Sequence, residues 1–334
     1  MRRGSSRRAR DGSEDPPVDL RVELGSLELP APILTASGTY GHGDEVARHG
    51  EPGRLGAITA KSLCPEPWAG KPAPRLHMTA AGMLNAVGLQ GPGIAAWLEH
   101  DLPALRASGA RVIASVWGRT VDEFARAAEL LVPAHAQLLA IEVNVSCPNL
   151  HHRSEMFAHD PEATGAAIAA VVAAGETTTD GVGARGRPLP VFAKLSPNVT
   201  DLTVIARAAV DAGADGLTLV NTVMGLLVDA DTRRPVLGGG GGGLSGPAIK
   251  PVALRAVHDV TRALPGVPVI GTGGVQCGVD AVEMMMCGAS AVAVGTANFL
   301  DPRAPYRVLD EVRAWCVAHD VARVSDLIGT LEVA

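Results

Sequence analysis

Aromatic side chains are nearly missing from this chain of 334 residues, which holds four Trp, two Tyr and four Phe. With 47% of residues apolar, a sizeable core is available, but it has to be aliphatic. Long apolar runs are missing too. No segment offers the roughly 18 consecutive apolar residues of a spanning helix, and no amphipathic helix precedes the fold. Cysteine is sparse: Cys64, Cys147, Cys277, Cys287 and Cys316 are odd in number, widely spaced and form no C-x-x-C. That pattern excludes a disulfide framework, a zinc site and an iron–sulfur cluster, and Cys277, Cys287 and Cys316 are expected to act as small hydrophobes. Basic charge is confined. The first ten residues carry five Arg and no acid; without those five, the 29 basic residues fall to 24 against 35 acids, a net of −11. So acidic a body is a poor nucleic-acid binder. The Arg-rich start is followed by Asp11-Gly-Ser-Glu-Asp-Pro-Pro17 and not by an apolar signal core, so residues 1–18 read as a disordered leader. The expected protein is soluble and cytoplasmic, without a membrane or nucleic-acid partner.

What is present is a repeating alternation. β-rich runs near 33–38, 57–62, 111–117, 138–147, 189–196, 216–222, 267–273 and 291–296 are separated by Ala- and Leu-rich stretches. The latter predict helices near 93–107, 120–132, 161–174, 200–212, 248–264, 277–287 and 303–319. Strands alternating with helices of this length predict parallel βαβ units, and eight of them predict a (β/α)₈ (TIM) barrel. A doubly wound sheet is the competing fold. Asp19 to Pro30, with Gly25-Ser26 in the middle, reads as a β-hairpin closing the barrel floor. Residues 19–334 are thus expected to form one domain. Residues 175–188 read as an insertion on the bottom side, and 223–247, with six glycines at 238–243, as a long loop on the catalytic side.

Function in such a barrel collects where strands end at the top. Those ends carry Ser37, Lys61 with Ser62, Ser115, Asn144 with Cys147, Lys194, Asn221 with Thr222, Gly273-Gly274 and Gly295-Thr296. Only four lysines exist in the chain, and two of them fall here inside apolar segments. A buried ammonium needs an anionic or strongly polar partner. An ion pair with a neighbouring carboxylate would supply one, although acids are scarce at the strand ends. Glycines after the seventh and eighth strands, joined by Gly246, suit a phosphate cradle, with simple helix capping as the plainer alternative. A phosphate beside Lys61 and Lys194 suggests a phosphorylated cofactor with an electron-rich ring, which FMN fits. Asn85, Asn144, Asn149 and Asn221 supply uncharged donors and acceptors for a flat ring bearing alternating N–H and C=O groups. Cys147, at a strand end and directly before Pro148, is placed for chemistry. An aldolase-like barrel with Lys194 as a Schiff-base lysine would need no flavin.

Asn144-Val-Ser-Cys-Pro-Asn149, Lys194-Leu-Ser-Pro-Asn-Val-Thr-Asp201, Gly242-Gly-Leu-Ser-Gly-Pro-Ala-Ile-Lys-Pro251 and Ala291-Val-Ala-Val-Gly-Thr-Ala-Asn-Phe299 resemble the class 1 dihydroorotate dehydrogenases, most closely the class 1B catalytic subunit. The likeness runs from about Leu20 to Leu327. It implies an FMN barrel that oxidises (S)-dihydroorotate to orotate in pyrimidine biosynthesis, with hydride leaving C6 for the flavin. By position, Cys147 would be the base that takes the C5 proton, and Lys61 would face both flavin and substrate. Asn85, Ala86, Val87, Gly88, Leu89, Asn144, Asn149, Asn221 and Thr222 would hold orotate. Ser37, Lys61, Ser62, Ser115, Asn144, Lys194, Val220, Gly246, Gly273, Gly274, Gly295 and Thr296 would hold FMN. Electrons would pass to NAD through a second subunit carrying FAD and a [2Fe–2S] cluster; the chain is expected as a homodimer, with a heterotetramer including that subunit as the further expectation. A fumarate-reducing class 1A-like homodimer and a dihydropyrimidine dehydrogenase-type FMN module are the alternatives. Two departures stand out: many class 1B members carry Asn where this chain has Ser115, and Asn149-Leu-His-His-Arg-Ser-Glu-Met-Phe157 lacks the usual Gly-Gly of the lid.

Overall fold

A computed structural model describes residues 18–146, 156–176 and 189–332. The leader, the segment after Ser146, including Cys147 and Asn149, and most of the insertion at 175–188 lie outside the described residues. Eight parallel strands close into a barrel. In order they are Ile33–Thr35, Ala57–Thr59, Val112–Val116, Ala140–Asn144, Val191–Leu195, Gly216–Leu219, Val269–Thr272 and Ala291–Val294. Each pairs with the next, and the eighth returns to the first with Val292 opposite Ile33. The strands are buried along their whole length, as expected of a sheet covered on both faces. The predicted helices form between them, including Val121–Leu131, Pro161–Glu176, Lys250–Ala263 and Ala304–Ala318. Local chemistry sets their starts: the Thr120 hydroxyl accepts from Glu123 N at 3.2 Å, and the Asp201 carboxylate accepts from Thr203 N at 2.9 Å.

The N-terminal hairpin pairs Val22–Leu24 with Leu27–Leu29 and alternates buried and exposed residues. Its turn glycine, Gly25, takes φ +61°, and a Cβ there would lie 3.2 Å from Pro268 Cγ. Pro268 and the nearby Asp215 carbonyl precede the seventh and sixth strands, so the hairpin covers the barrel floor. The core is aliphatic apart from a few fully buried rings, namely Trp97, Tyr40, Phe124 and Phe192.

Residues 223–247 depart from the expected loop. Val223–Gly225 and Gly242–Ser245 pair antiparallel, and with Gly82–Asn85 and Leu76–Thr79 they build a four-stranded sheet above the barrel mouth. Six consecutive glycines conceal strand character because glycine has no side chain to pack. Close approach explains the two that lie in the strand. A Cβ on Gly242 would lie 2.9 Å from Asn85 C, and one on Gly243 2.6 Å from Thr222 Cβ. A second difference concerns Cys277. It does not act as a buried hydrophobe: it precedes helix Gly278–Met286, and its thiol lies 3.3 Å from the Asp280 carboxylate that also accepts its backbone N–H. Among the described residues no helix is long and apolar enough to cross a membrane.

Phe124 is fully buried and meets Phe157 edge-on, with ring centroids 5.3 Å apart. Phe124→Ala should therefore cost about 4 kcal/mol of stability through lost burial and a residual cavity. Thermal unfolding should register it as a drop of several degrees.

Candidate functional site

One cavity of about 300 Å³ opens at the C-terminal ends of the barrel strands beneath the four-stranded sheet. Its wall brings together Ser37, Lys61, Ser62, Asn144, Lys194, Val220, Asn221, Thr222, Gly246, Gly273, Gly274, Gly295, Thr296 and the segment Asn85–Leu89. Of the described residues expected at the site, Ser115 alone lies off this wall. It is fully buried behind it.

Strand register explains the polar network. Ser115 is paired across from Glu142, and Asn144 across from Lys194. Glu142 and Asn144 are two residues apart and therefore face the same side of their strand. Glu142 is buried with Lys194, its Oε1 lying 3.8 Å from Lys194 Nζ. The carboxylate partner for Lys194 thus sits within the fourth strand and not at any strand end, so the ion-pair reading of Lys194 holds although acids are scarce at the strand ends. Lys194 Nζ also donates to Ser37 Oγ at 2.8 Å. The Ser115 hydroxyl donates to Glu142 Oε1 at 3.0 Å and lies 2.9 Å from Ser62 Oγ. A carboxylate only accepts, so Ser115 spends its single hydrogen on Glu142 and Ser62 must donate to Ser115. Ser62 in turn accepts from Asn144 Nδ2 at 3.0 Å. Asn144 Oδ1 then receives Ser146 N at 3.2 Å and Asn221 Nδ2 at 3.3 Å.

Three lysines (Lys61, Lys71 and Lys194) line this cavity, and no Asp or Glu is among its described wall residues. The fourth, Lys250, is held by Asp280 and Glu283 at 2.7 Å each. Burial, and then the Lys61 charge, hold His42 below the ordinary imidazole range, so it is neutral at neutral pH. The glycines form a closely fitted rim. Gly246, Gly273 and Gly274 take φ +92°, +127° and +80°. A Cβ at Gly274 would lie 2.8 Å from Lys250 Cα, and one at Gly273 2.7 Å from Ala253 Cβ. Backbone can therefore approach a ligand here where a side chain would block it. The N–H groups of Gly273, Gly274, Gly295 and Thr296 donate to no protein carbonyl among the described residues, and Thr296 caps the short helix Ala297–Leu300. Unused backbone N–H groups of this kind can accept an anion such as phosphate.

Sequence reasoning missed several wall residues. Lys71, Trp68 and Trp117 line the cavity. Trp68 stands edge-on to Trp117 at 6.0 Å and donates its indole N–H to Gly88 O at 3.0 Å. Glu142 was missed as well, although a lone acid inside an otherwise apolar strand was a usable signal.

A closed (β/α)₈ barrel whose mouth is lined by lysines and amides, with no acid among its described wall residues, beside a glycine rim has the architecture of a barrel enzyme. The dihydroorotate dehydrogenase family model matches residues 19–315, and the chain belongs to that family. It is 46% identical over 317 residues to the dihydroorotate dehydrogenase B (NAD(+)) catalytic subunit of Geobacter sulfurreducens, covering 94% of this chain and 99% of that protein. The same-named subunit of Trichlorobacter lovleyi is 44% identical over 313 residues, covering 94% and 98%. That of Alkaliphilus metalliredigens is 41% identical over 314 residues, covering 94% and 99%. This membership sets aside the aldolase-like alternative for Lys194.

Removing one partner of a buried pair strands the other charge. Glu142→Leu should lose about 3 kcal/mol in urea unfolding, and the double variant Glu142→Leu/Lys194→Met should recover most of it. A single variant as stable as the parent would show that the pair does not hold the site.

Proposed function

We propose that this protein is the catalytic subunit of a class 1B dihydroorotate dehydrogenase, which oxidises (S)-dihydroorotate to orotate with FMN bound in the barrel mouth. The observation that carries this is the convergence of Lys61, Lys194, three Asn amides and the glycine rim on one cavity free of acids among its described wall residues. The names of the relatives fit the same activity. When bound, FMN supplies the two-electron acceptor. Gly246, Gly273, Gly274, Gly295 and Thr296 would take its phosphate through backbone N–H groups. Lys194, fixed by Ser37 and Glu142, would set positive charge beside the ring and favour electron-rich states.

The substrate is a flat ring whose N–H and C=O groups need uncharged partners. Asn85 donates to Gly243 O at 3.2 Å, which leaves its Oδ1 as an acceptor for ligand N–H. Asn144 has one Nδ2 hydrogen left after Ser62 takes the other. The hydroxyl chain behind Asn144 prevents its amide from turning over. Cys147 takes the C5 proton as general base, since it follows directly on the wall residue Ser146. Asn149 completes the substrate amides, and Ser115 acts through Ser62 without touching the cofactor. Electrons leave toward NAD through a partner subunit carrying FAD and a [2Fe–2S] cluster, and the chain works in the cytoplasm.

Purified protein should show a flavin visible spectrum that bleaches on anaerobic addition of dihydroorotate. Cys147→Ala should stay yellow, with flavin reduction at neutral pH slower by on the order of a hundredfold or more. A colourless protein, or a variant reduced at the parent rate, would rule out the respective assignment.

A further inference from the structure

Lys71 is a cavity lysine to which the mechanism above gives no task. Its backbone N–H donates to Val87 O at 3.0 Å, fixing its Cα beside the segment Asn85–Leu89. Two glycines make room for its stem: a Cβ on Gly88 would come 2.7 Å from Lys71 Cγ, and one on Gly239 2.9 Å from Lys71 Cδ. The side chain is half-buried and forms part of the cavity wall. Its ammonium makes no hydrogen bond or ion pair among the described residues. The adjoining segment complements it. The carbonyls of Val87 and Gly88 are occupied by Lys71 N and Trp68 Nε1, while the N–H groups of Val87, Gly88 and Leu89 donate to no protein acceptor among the described residues. Gly88 at φ +72° and Leu89 at φ +61° hold the turn that exposes them.

A lysine with no protein partner for its ammonium among the described residues, its stem packed against a segment that presents three unused amide N–H groups, can serve as a receptor for a carboxylate. We infer that Lys71 is a specificity-determining residue: its ammonium binds the substrate's carboxylate and selects a carboxylated pyrimidine ring over a neutral one. This rests on the function proposed above and adds a residue to it. A solvated surface lysine is the plainer account, but Lys71 is half-buried, lines the cavity and packs its stem against Gly88 and Gly239. Confinement of the stem also reduces the entropy lost when the head group is fixed.

The test is orotate titration of flavin-loaded protein, read from flavin absorbance, at low and high salt. Lys71→Gln should bind orotate about tenfold more weakly at low salt and with a shallower salt dependence. Flavin content and melting temperature matching the parent establish that the variant is folded. Parent-like affinity would overturn the inference, as would a tenfold loss with parent-like salt dependence, which would mean shape and not charge. A flavin-loaded parent that does not bind orotate would instead count against the proposed function itself.

Discussion

The buried contact between Glu142 and Lys194 orders everything around it. Both side chains are almost wholly buried, so each charge depends on the other and on the hydroxyls that complete its coordination. Because a carboxylate cannot donate, it imposes a direction on the chain Asn144, Ser62, Ser115, Glu142, and every hydrogen in it has one place to go. The consequence appears at the cavity, where the Asn144 amide is presented in a single sense. Ser115 thereby has a physical role away from the cavity wall. A hydroxyl directly across from Glu142 is short enough to leave the carboxylate within 3.8 Å of Lys194 Nζ.

The sheet above the barrel is tied to the same amides. Gly242 packs on Asn85 and Gly243 on Thr222, so the glycine run sets the height of the roof over two residues that face the cavity. Asn85 answers by donating to Gly243 O, and Asn198 braces the far side by donating to Thr222 O at 2.9 Å and accepting from Met224 N at 2.8 Å. Roof and floor of the pocket are therefore positioned by one set of side chains, and a bulkier residue in either strand would move both.

How much of this the sequence disclosed depends on the signal. Strand order and helix placement were legible because apolar runs and Ala-rich stretches alternate without interruption. The floor hairpin was legible because Gly25-Ser26 divides two short alternating runs. Strand ends were legible too, since the top of a barrel is fixed once the strands are counted, and that placed Lys61, Lys194 and Asn144 on one wall. Pairing across strands was not. That Glu142 opposes Ser115 follows from register, which no local pattern reports, so the acid serving Lys194 went unseen while strand ends alone were searched. The roof sheet was hidden for a different reason: its glycines are dictated by contacts with Asn85 and Thr222, residues far away in sequence. Lys71 was overlooked because it sits in a Gly- and Pro-rich connection that carries no periodicity.

Residue choice separates the two kinds of cation in this protein. Only four of its 29 basic residues are lysines, yet three of those line the cavity and, among the described residues, no arginine does. Arginines instead pair with carboxylates on exposed surface, as Arg21 with Asp19, Arg126 with Glu129 and Arg307 with Glu311. A guanidinium is a broad fork that seeks two acceptors in one plane, whereas an ammonium is a compact charge on a thin stem. Between facing glycines, as at Lys71, or inside a barrel, as at Lys194, the compact charge is the easier one to accommodate. A protein with excess acid elsewhere can then receive an anion, because a cation-lined cleft with low-dielectric walls focuses the field that a diffuse negative surface cannot cancel at close range.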